Sequence, residues 1–341
     1  MFIQNSYRFG TVESLLLDTY TGAAAAYSLR KLKTGVTNVV RVRRSNDSTE
    51  QNFTATEITD GTLTTFTGAN DGLVTILYDQ SGSGKNAIQT IATSQPKIVS
   101  NGVVNIDNGK PYMYTNGDTR GTLVIASPTG LNNTAASIFG TYNSNDTGNG
   151  VLASCETNHL LGTMRGTSTG SSSSNAGNPS YYVNSALISP DNGEDLHNNY
   201  VINQDVIFST LDIDFSSTSW GNNFFRIFGY ISSDTFSAEC KIKELIIYNS
   251  DQSANRTGIE TNINTEYSIF PDTAISGLLF DYPNASAAYS LRQLTFYQNG
   301  YAPNVVRVRR SNDNTEQNFT PTEITDGTLT TFTGANDGFV L

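Results

Sequence analysis

Residues 39–72 read VVRVRRSNDSTEQNFTATEITDGTLTTFTGANDG, and residues 305–338 read VVRVRRSNDNTEQNFTPTEITDGTLTTFTGANDG. Only Ser48 against Asn314 and Ala55 against Pro321 tell the two stretches apart. Upstream, Ala25–Arg30 (AAYSLR) recurs as 287–292, and extra residues around Phe296–Tyr301 lengthen the connection in the second copy. The copies stand roughly 265 residues apart, far beyond the roughly 20–50 residues of solenoid or propeller repeats, so the repeating unit is a whole domain.

Working outward, residues 15–270 read as one module, preceded by an N-terminal junction segment over 1–14. A linker over 271–275 leads to the start of a second, incomplete copy over 276–341. In the first copy the block continues into Thr75–Gly82, a buried strand and its exit turn; Leu341 follows the matching point in the second. A sandwich short of most of its strands exposes apolar edges. The expectation is that residues 276–341 do not fold alone, and that either a continuing polypeptide, the preferred reading, or a neighbouring chain completes them.

Composition leans the same way. Only 15% of residues are charged and 29 are Gly, while Asn, Ser and Thr supply the polarity. Those residues suit turns and exposed strands rather than helix interiors. The fold class expected is all-β: a sandwich of short strands with one or two short helices, in tandem modules. The net charge of −11 removes the electrostatic term on which nucleic-acid binding depends. Arg41, Arg43 and Arg44 are a local exception, read as salt-bridged strand residues. Two cysteines, Cys155 and Cys240, and two histidines, His159 and His197, give no zinc-ligand spacing. The opening MFIQNSYR lacks the features of a signal peptide, and no run approaches the roughly 18 apolar residues of a membrane span. Neither membrane insertion nor a cofactor is expected.

Along the first module, Ala23–Leu32 reads as a helix from its alanines and the Leu29/Leu32 spacing. Asn38–Arg44 alternates as a strand, Glu57–Phe66 reads as a strand or a short helix, and Leu73–Tyr78 as a central strand. Later strands are expected at Pro96–Val99, Val103–Ile106, Thr122–Ile125, Ala136–Tyr142, Gly150–Ser154, Tyr181–Val183, Asp205–Asp212, Phe224–Tyr230 and Cys240–Tyr248. Gln252–Tyr267 reads as an amphipathic helix capped by Ser253, and Gly166–Asn178 as a loop tip.

The order AAYSLR, VVRVRRSND, ILYDQSGSGKNAIQ (76–89) and QPKIV (95–99) resembles the catalytic module of the α-L-arabinofuranosidase B family, glycoside hydrolase family 54. It is equally similar to LamG, concanavalin-like modules of phage tail and fibre proteins. The resemblance is concentrated in residues 22–107 and implies a concanavalin-like jelly roll. Retaining glycosidases need two carboxylates about 5–5.5 Å apart. By resemblance, Phe228–Asp234 matches the family's acid/base segment, making Asp234 the counterpart. The segment matching the nucleophile, about Tyr181–Ser189, holds no carboxylate, and Cys155 is followed by Glu156 where the family has adjacent cysteines. The reading therefore leans away from catalysis.

Other candidates are judged on their own chemistry. Trp220, Tyr181 and Tyr182 are candidates for stacking on a sugar ring, with a rim or core role as the plainer reading. Asp212 and Asp214 would share a strand face and are the candidates for calcium, which requires further oxygens. Asp79, in YDQSG, reads as a turn aspartate bonding backbone amides. Gly82–Lys85 lacks the phosphate-loop spacing. The functional expectation is a virion structural protein, a tail or head fibre component, located on the virion or extracellular. It would be oligomeric with itself or other virion proteins, and would bind a cell-surface polysaccharide. An arabinofuranosidase-like hydrolase and a bacterial surface adhesin are the alternatives.

Overall fold

The computed structural model describes residues 14–115, 123–125, 135–144, 151–155, 158–163, 179–188, 204–214, 225–227, 240–270, 289–291 and 304–341. Side chains of residues 144, 151–155, 158–163, 225 and 226 lie outside that description. The chain divides into two units, Met1–Phe270 and Pro271–Leu341. The expected loop over 166–178 lies outside the described residues.

The first unit is a β-sandwich of antiparallel strands with a helical layer on one side. In one sheet, β1 (Ala23–Ser28) pairs with Glu244–Tyr248, which pairs with Ala136–Ser144. That strand pairs with Val206–Ile213, and Ser180–Val183 and Ala186–Ile188 follow in turn. The other sheet is built on β2 (Val40–Arg44), β3 (Glu50–Phe53) and β4 (Gly72–Leu77), with β2 between the other two. Beyond β4, β5 (Ala87–Ile88) pairs with its C-terminal half, and β6 (Lys97–Ser100) with its N-terminal end. A tight hairpin joins β6 to β7 (Val103–Val104). The long strand Ala136–Ser144 crosses between the sheets, since Asn143 and Ser144 pair with Lys241 and Cys240 of the second.

Strand periodicity explains where the core sits. Val40 and Val42 point inward with Val74, Leu77, Ile98 and Met113, and meet Tyr27, Ile138, Phe208 and Ile247 from the facing sheet. The reverse face of the first sheet carries Ala26, Phe139, Ile207, Ile246 and Tyr248. These pack on α1 (Leu16–Thr19) and α4 (Arg256–Tyr267) through Leu16, Leu17, Ile259 and Ile263. Because that sheet is covered on both faces, Glu244–Tyr248 is buried at every position and reads as a continuous apolar run rather than an alternating one.

Two expectations are corrected and one open alternative is resolved. Ala23–Leu32 is not a helix: Ala23–Ser28 is β1. Its alanines have no side chain to clash where the strand passes between two packed cores, with Ala25 and Ala26 fully buried, so tertiary packing overrides helix propensity. Glu57–Phe66 falls in two helices, α2 (Ala55–Thr59) and α3 (Thr62–Thr67). A capping box starts α2, Thr54 and Glu57 each bonding the other's backbone N–H, and Gly61 at φ 97° turns the chain into α3. The described first unit thus holds four α-helices, three of them no longer than six residues. Finally, Ser253 does not cap α4, which starts at Arg256; the Ser253 hydroxyl and amide donate to Asp251 instead. No helix among the described residues is long and apolar enough to cross a membrane.

In the second unit, Val306–Arg310 pairs with Glu316–Phe319 on one side and Gly338–Val340 on the other. Helices Pro321–Thr325 and Thr328–Thr333 follow, the first again with a capping box. Element for element, this repeats β2, β3, α2, α3 and the start of β4.

Candidate functional site

The YDQSG turn is tied to the edge of β1. The Asp79 carboxylate accepts from the backbone N–H of Ala26 at 2.9 Å, of Ser81 at 2.9 Å and of Lys85 at 3.0 Å. The Gln80 side chain donates to the carbonyls of Ser28 and Arg30, both at 2.9 Å, and accepts from Leu32 N–H at 2.8 Å. Strand β1 pairs with one neighbour among the described residues, and this turn satisfies the polar backbone of its other edge. The motif that carries the family resemblance is here a structural clamp.

Below β1 lies a buried charge cluster. Glu244, at 1% exposure, accepts from Arg30 Nε at 2.7 Å and Nη2 at 2.9 Å, from Ser28 Oγ at 3.0 Å and from Tyr267 Oη at 3.1 Å. Burial works against the charge on Arg30, but the attraction and hydrogen bonds of Glu244 outweigh it and raise the guanidinium above its ordinary value. Burial, reinforced by the Glu244 charge, raises the Tyr267 phenol well above 10.0. The Tyr267 ring also lies 5.6 Å from the Arg30 guanidinium carbon and 5.6 Å from Lys243 Nζ. Lys243, itself 1% exposed, ion-pairs with Asp205.

A second buried carboxylate, Glu260 on α4, accepts from Ser209 Oγ at 2.6 Å, Arg256 Nη1 at 2.6 Å and Ser185 Oγ at 2.7 Å. Each of these carboxylates faces donors that hold it in place.

Beside the Glu244 cluster a cleft of about 380 Å³ opens between α2, the turn at Gly109–Pro111 and the end of α4. Its walls include Arg30, Thr56, Thr59, Lys110, Glu266 and Tyr267. Lys110 Nζ bonds Glu266 Oε1 at 2.7 Å across it. The size lies in the range of small-ligand sites, about 300–1,000 Å³. The sequence reading missed this cleft. For the charge cluster beside it the signals available were Lys243 and Glu244 inside the strand run CKIKELIIY and the arginine closing AAYSLR, of which only Arg30 also lines the cleft.

The structure distributes the predicted site residues widely. Asp234, Trp220 and His197 lie outside the described residues, as do the side chains of Cys155 and His159. Tyr181 is 5% exposed, so its ring is inside the molecule and offers no face to a sugar. The Tyr182 ring is stacked under Arg256, with the guanidinium 3.9 Å from its centroid. Asp212 is exposed at φ 58°, beside a register irregularity. The extended alternation that would set it on one face with Asp214 is broken there. Among the described residues no group of three or more His, Cys, Asp or Glu is placed to hold a metal. Arg41 and Arg44 ion-pair as expected, with Glu50 and Asp47, both at 2.6 Å, whereas Arg43 donates to the neutral Gln95 side chain. Cys240 is buried, its Sγ 3.1 Å from Thr115 Oγ1.

No protein-family model matches the chain, and no curated protein matches it. Solved structures with a similar course include a family 54 α-L-arabinofuranosidase soaked with a cyclic sulfate inhibitor. It has a TM-score of 0.44 and 14% identity over 87% of this chain and 70% of that one. An arabinofuranosidase complexed with arabinofuranosyl-α-1,2-xylobiose gives 0.45 and 14%, over 85% and 68%. A mutant of a family 54 enzyme soaked with 4-nitrophenyl α-L-arabinofuranoside gives 0.45 and 13%, over 87% and 70%. Likeness at this level carries no argument; the sandwich is established here by the chain's own sheets and layers.

Proposed function

We propose that this chain is a structural, tandem-module protein whose sandwich serves display, assembly and glycan contact rather than hydrolysis, as a tail- or head-fibre component of a virion. The observation that carries this reading is the condition of the buried carboxylates. Glu244 and Glu260 are buried and, like the half-buried Asp205, are held by cationic and hydroxyl or amide donors, which fits a structural anchor rather than proton shuttling. The near-duplicate stretches support a protein assembled from repeated units. For glycan contact the cleft offers Thr56, Thr59, Lys110 and Glu266, suited to hydroxyl groups, with Trp220 retained as a stacking residue.

The test joins an activity assay to a binding screen. The full chain is incubated with 4-nitrophenyl α-L-arabinofuranoside and, separately, presented to immobilised polysaccharides. The expected result is no nitrophenol above the uncatalysed rate, together with saturable polysaccharide binding weakened by Lys110→Ala. Hydrolysis abolished by Asp234→Asn would instead establish an arabinofuranosidase. Mass spectrometry of purified virus particles then tests the virion assignment, which fails if particles from an expressing host lack the chain.

A further inference from the structure

The carboxylates inside the first unit differ in the cation each one faces. Glu244 and Glu260 pair with arginines, Arg30 and Arg256, and a guanidinium stays protonated and is no nucleophile. Asp205 pairs with a lysine, Lys243, whose amine can attack a carbonyl carbon once it is uncharged. Burial sets this pair apart from the other lysine ion pairs among the described residues. In Lys97–Asp71, Lys110–Glu266 and Lys241–Asp107 every side chain is 27–36% exposed, whereas Lys243 is 1% exposed and Asp205 13%.

So dry a site suits a charged pair poorly. An ammonium group carries three donors. Among the described residues Asp205 is the one hydrogen-bond acceptor on Lys243 Nζ, with the Tyr267 ring centroid 5.6 Å away. Desolvating two charges is repaid only when further hydrogen bonds satisfy them. Burial therefore favours passing one proton from Nζ to Oδ2, which leaves an uncharged amine against an uncharged acid. The other carboxyl oxygen, Oδ1, accepts from Asn143 Nδ2 at 3.0 Å, and Asn143 is 2% exposed. The lysine is held at its backbone too, its N–H donating to Thr141 Oγ1 at 3.0 Å.

We infer that Lys243 and Asp205 form an intramolecular isopeptide bond, with no added enzyme or cofactor. The lone pair of the uncharged Nζ attacks Asp205 Cγ; the C–N bond forms and the Cγ–Oδ2 bond breaks. Of the three hydrogens on the starting ammonium, one stays on the amide nitrogen and two leave with Oδ2 as water. In the tetrahedral stage negative charge gathers on Oδ1, the oxygen to which Asn143 already donates. Holding the two groups in contact supplies an effective molarity on the order of 10⁵–10⁸ M, and the product has no charge left to solvate. Asp205 and Lys243 directly precede the strands Val206–Ile213 and Glu244–Tyr248, which flank Ala136–Ser144 on its two sides. The bond thus staples together the neighbours of that strand. The inference rests on these three side chains and is independent of the glycan and virion readings.

The test is intact-mass spectrometry of the denatured full chain, followed by tryptic mapping. The expected mass is one water below that of the sequence. The digest should contain a branched peptide, uncleaved at Lys243 and joined there to the segment holding Asp205. Lys243→Met, similar in length but without the amine, should show the full sequence mass and keep the far-ultraviolet circular dichroism of the parent. Asn143→Ala should slow cross-linking by about 10²–10³-fold, read as an uncross-linked mass that declines with time after synthesis. The full sequence mass in the folded parent overturns the inference. So does loss of ammonia in place of water, which would put the bond on Asn143, or a water loss mapped elsewhere, such as a succinimide at Asp71–Gly72. Cross-linking of Asn143→Ala at the parental rate would overturn the oxyanion role.

Discussion

Residues 39–72 and 305–338 are a natural pair of experiments on one sequence. Both fold to the same strand, strand, helix, helix order, and both keep Phe53 or Phe319 fully buried and edge-on to Phe66 or Phe332. Around that shared centre the burial diverges. Ile58 and Leu63 are buried, while helices Pro321–Thr325 and Thr328–Thr333 contain no buried residue. Tyr27 is 1% exposed and its counterpart Tyr289 is 95% exposed; Leu29 and Leu291 are at 2% and 59%. Capping boxes, turns and local hairpins therefore follow from local sequence, whereas burial of the same side chains follows from what is packed against them.

The largest effect should come from the tyrosines. Tyr27→Ala is expected to destabilise the first unit by about 3–5 kcal/mol, as for other large core truncations, and Tyr289→Ala to change stability by no more than about 0.5 kcal/mol. Denaturant melts of the two variants check this. The same residue gives the first unit an alkaline limit. Burial, with the Asp79 charge second, raises the Tyr27 phenol well above 10.0. The folded state thus holds a proton that the unfolded state releases, and this contribution, intact below pH 10, is lost as pH rises beyond it.

Next in size, Leu63→Ala should cost about 2–5 kcal/mol through the cavity it leaves. Leu329→Ala should cost under about 1 kcal/mol, since a half-exposed side chain has surrendered less surface. A comparable loss at both positions would break the contrast. The caps sharpen it from the other side. Thr54→Ala and Thr320→Ala should each cost about 1 kcal/mol of local helix stability, because the Thr–Glu reciprocal bonding is the same in both copies. Amide exchange at Glu57 and Glu323 measures it.

The smallest effect is at the surface. Hydrogen bonds from Arg44 and Arg310, then from the backbone of Thr49 and Thr315, lower Asp47 and Asp313 well below 3.8. Their contribution is present above that value and fades as pH falls through the lowered ones, equally in both copies. Carboxyl titration followed by NMR would show the two curves superimposed.

How much was legible in the sequence follows the same division. Strands at Val40–Arg44, Gly72–Leu77 and Glu244–Tyr248 were readable because β-branched alternation or an apolar run marks them. The alanine run was misread because four small residues serve a crowded strand as well as a helix. The charge cluster was hidden for a different reason. Glu244 is one carboxylate in an apolar strand, and its partner Arg30 stands 214 residues away, so no local pattern announces the pair.

The central claim, that equal local structure carries unequal burial, is tested most directly by hydrogen exchange of the full chain followed by mass spectrometry. Segments from Val40–Arg44 should exchange only through global unfolding of the first unit, with full denaturant dependence. Segments from Val306–Arg310 should exchange faster, through a separate opening with a shallower dependence. Identical rates and identical denaturant dependence for the two segments would contradict the account.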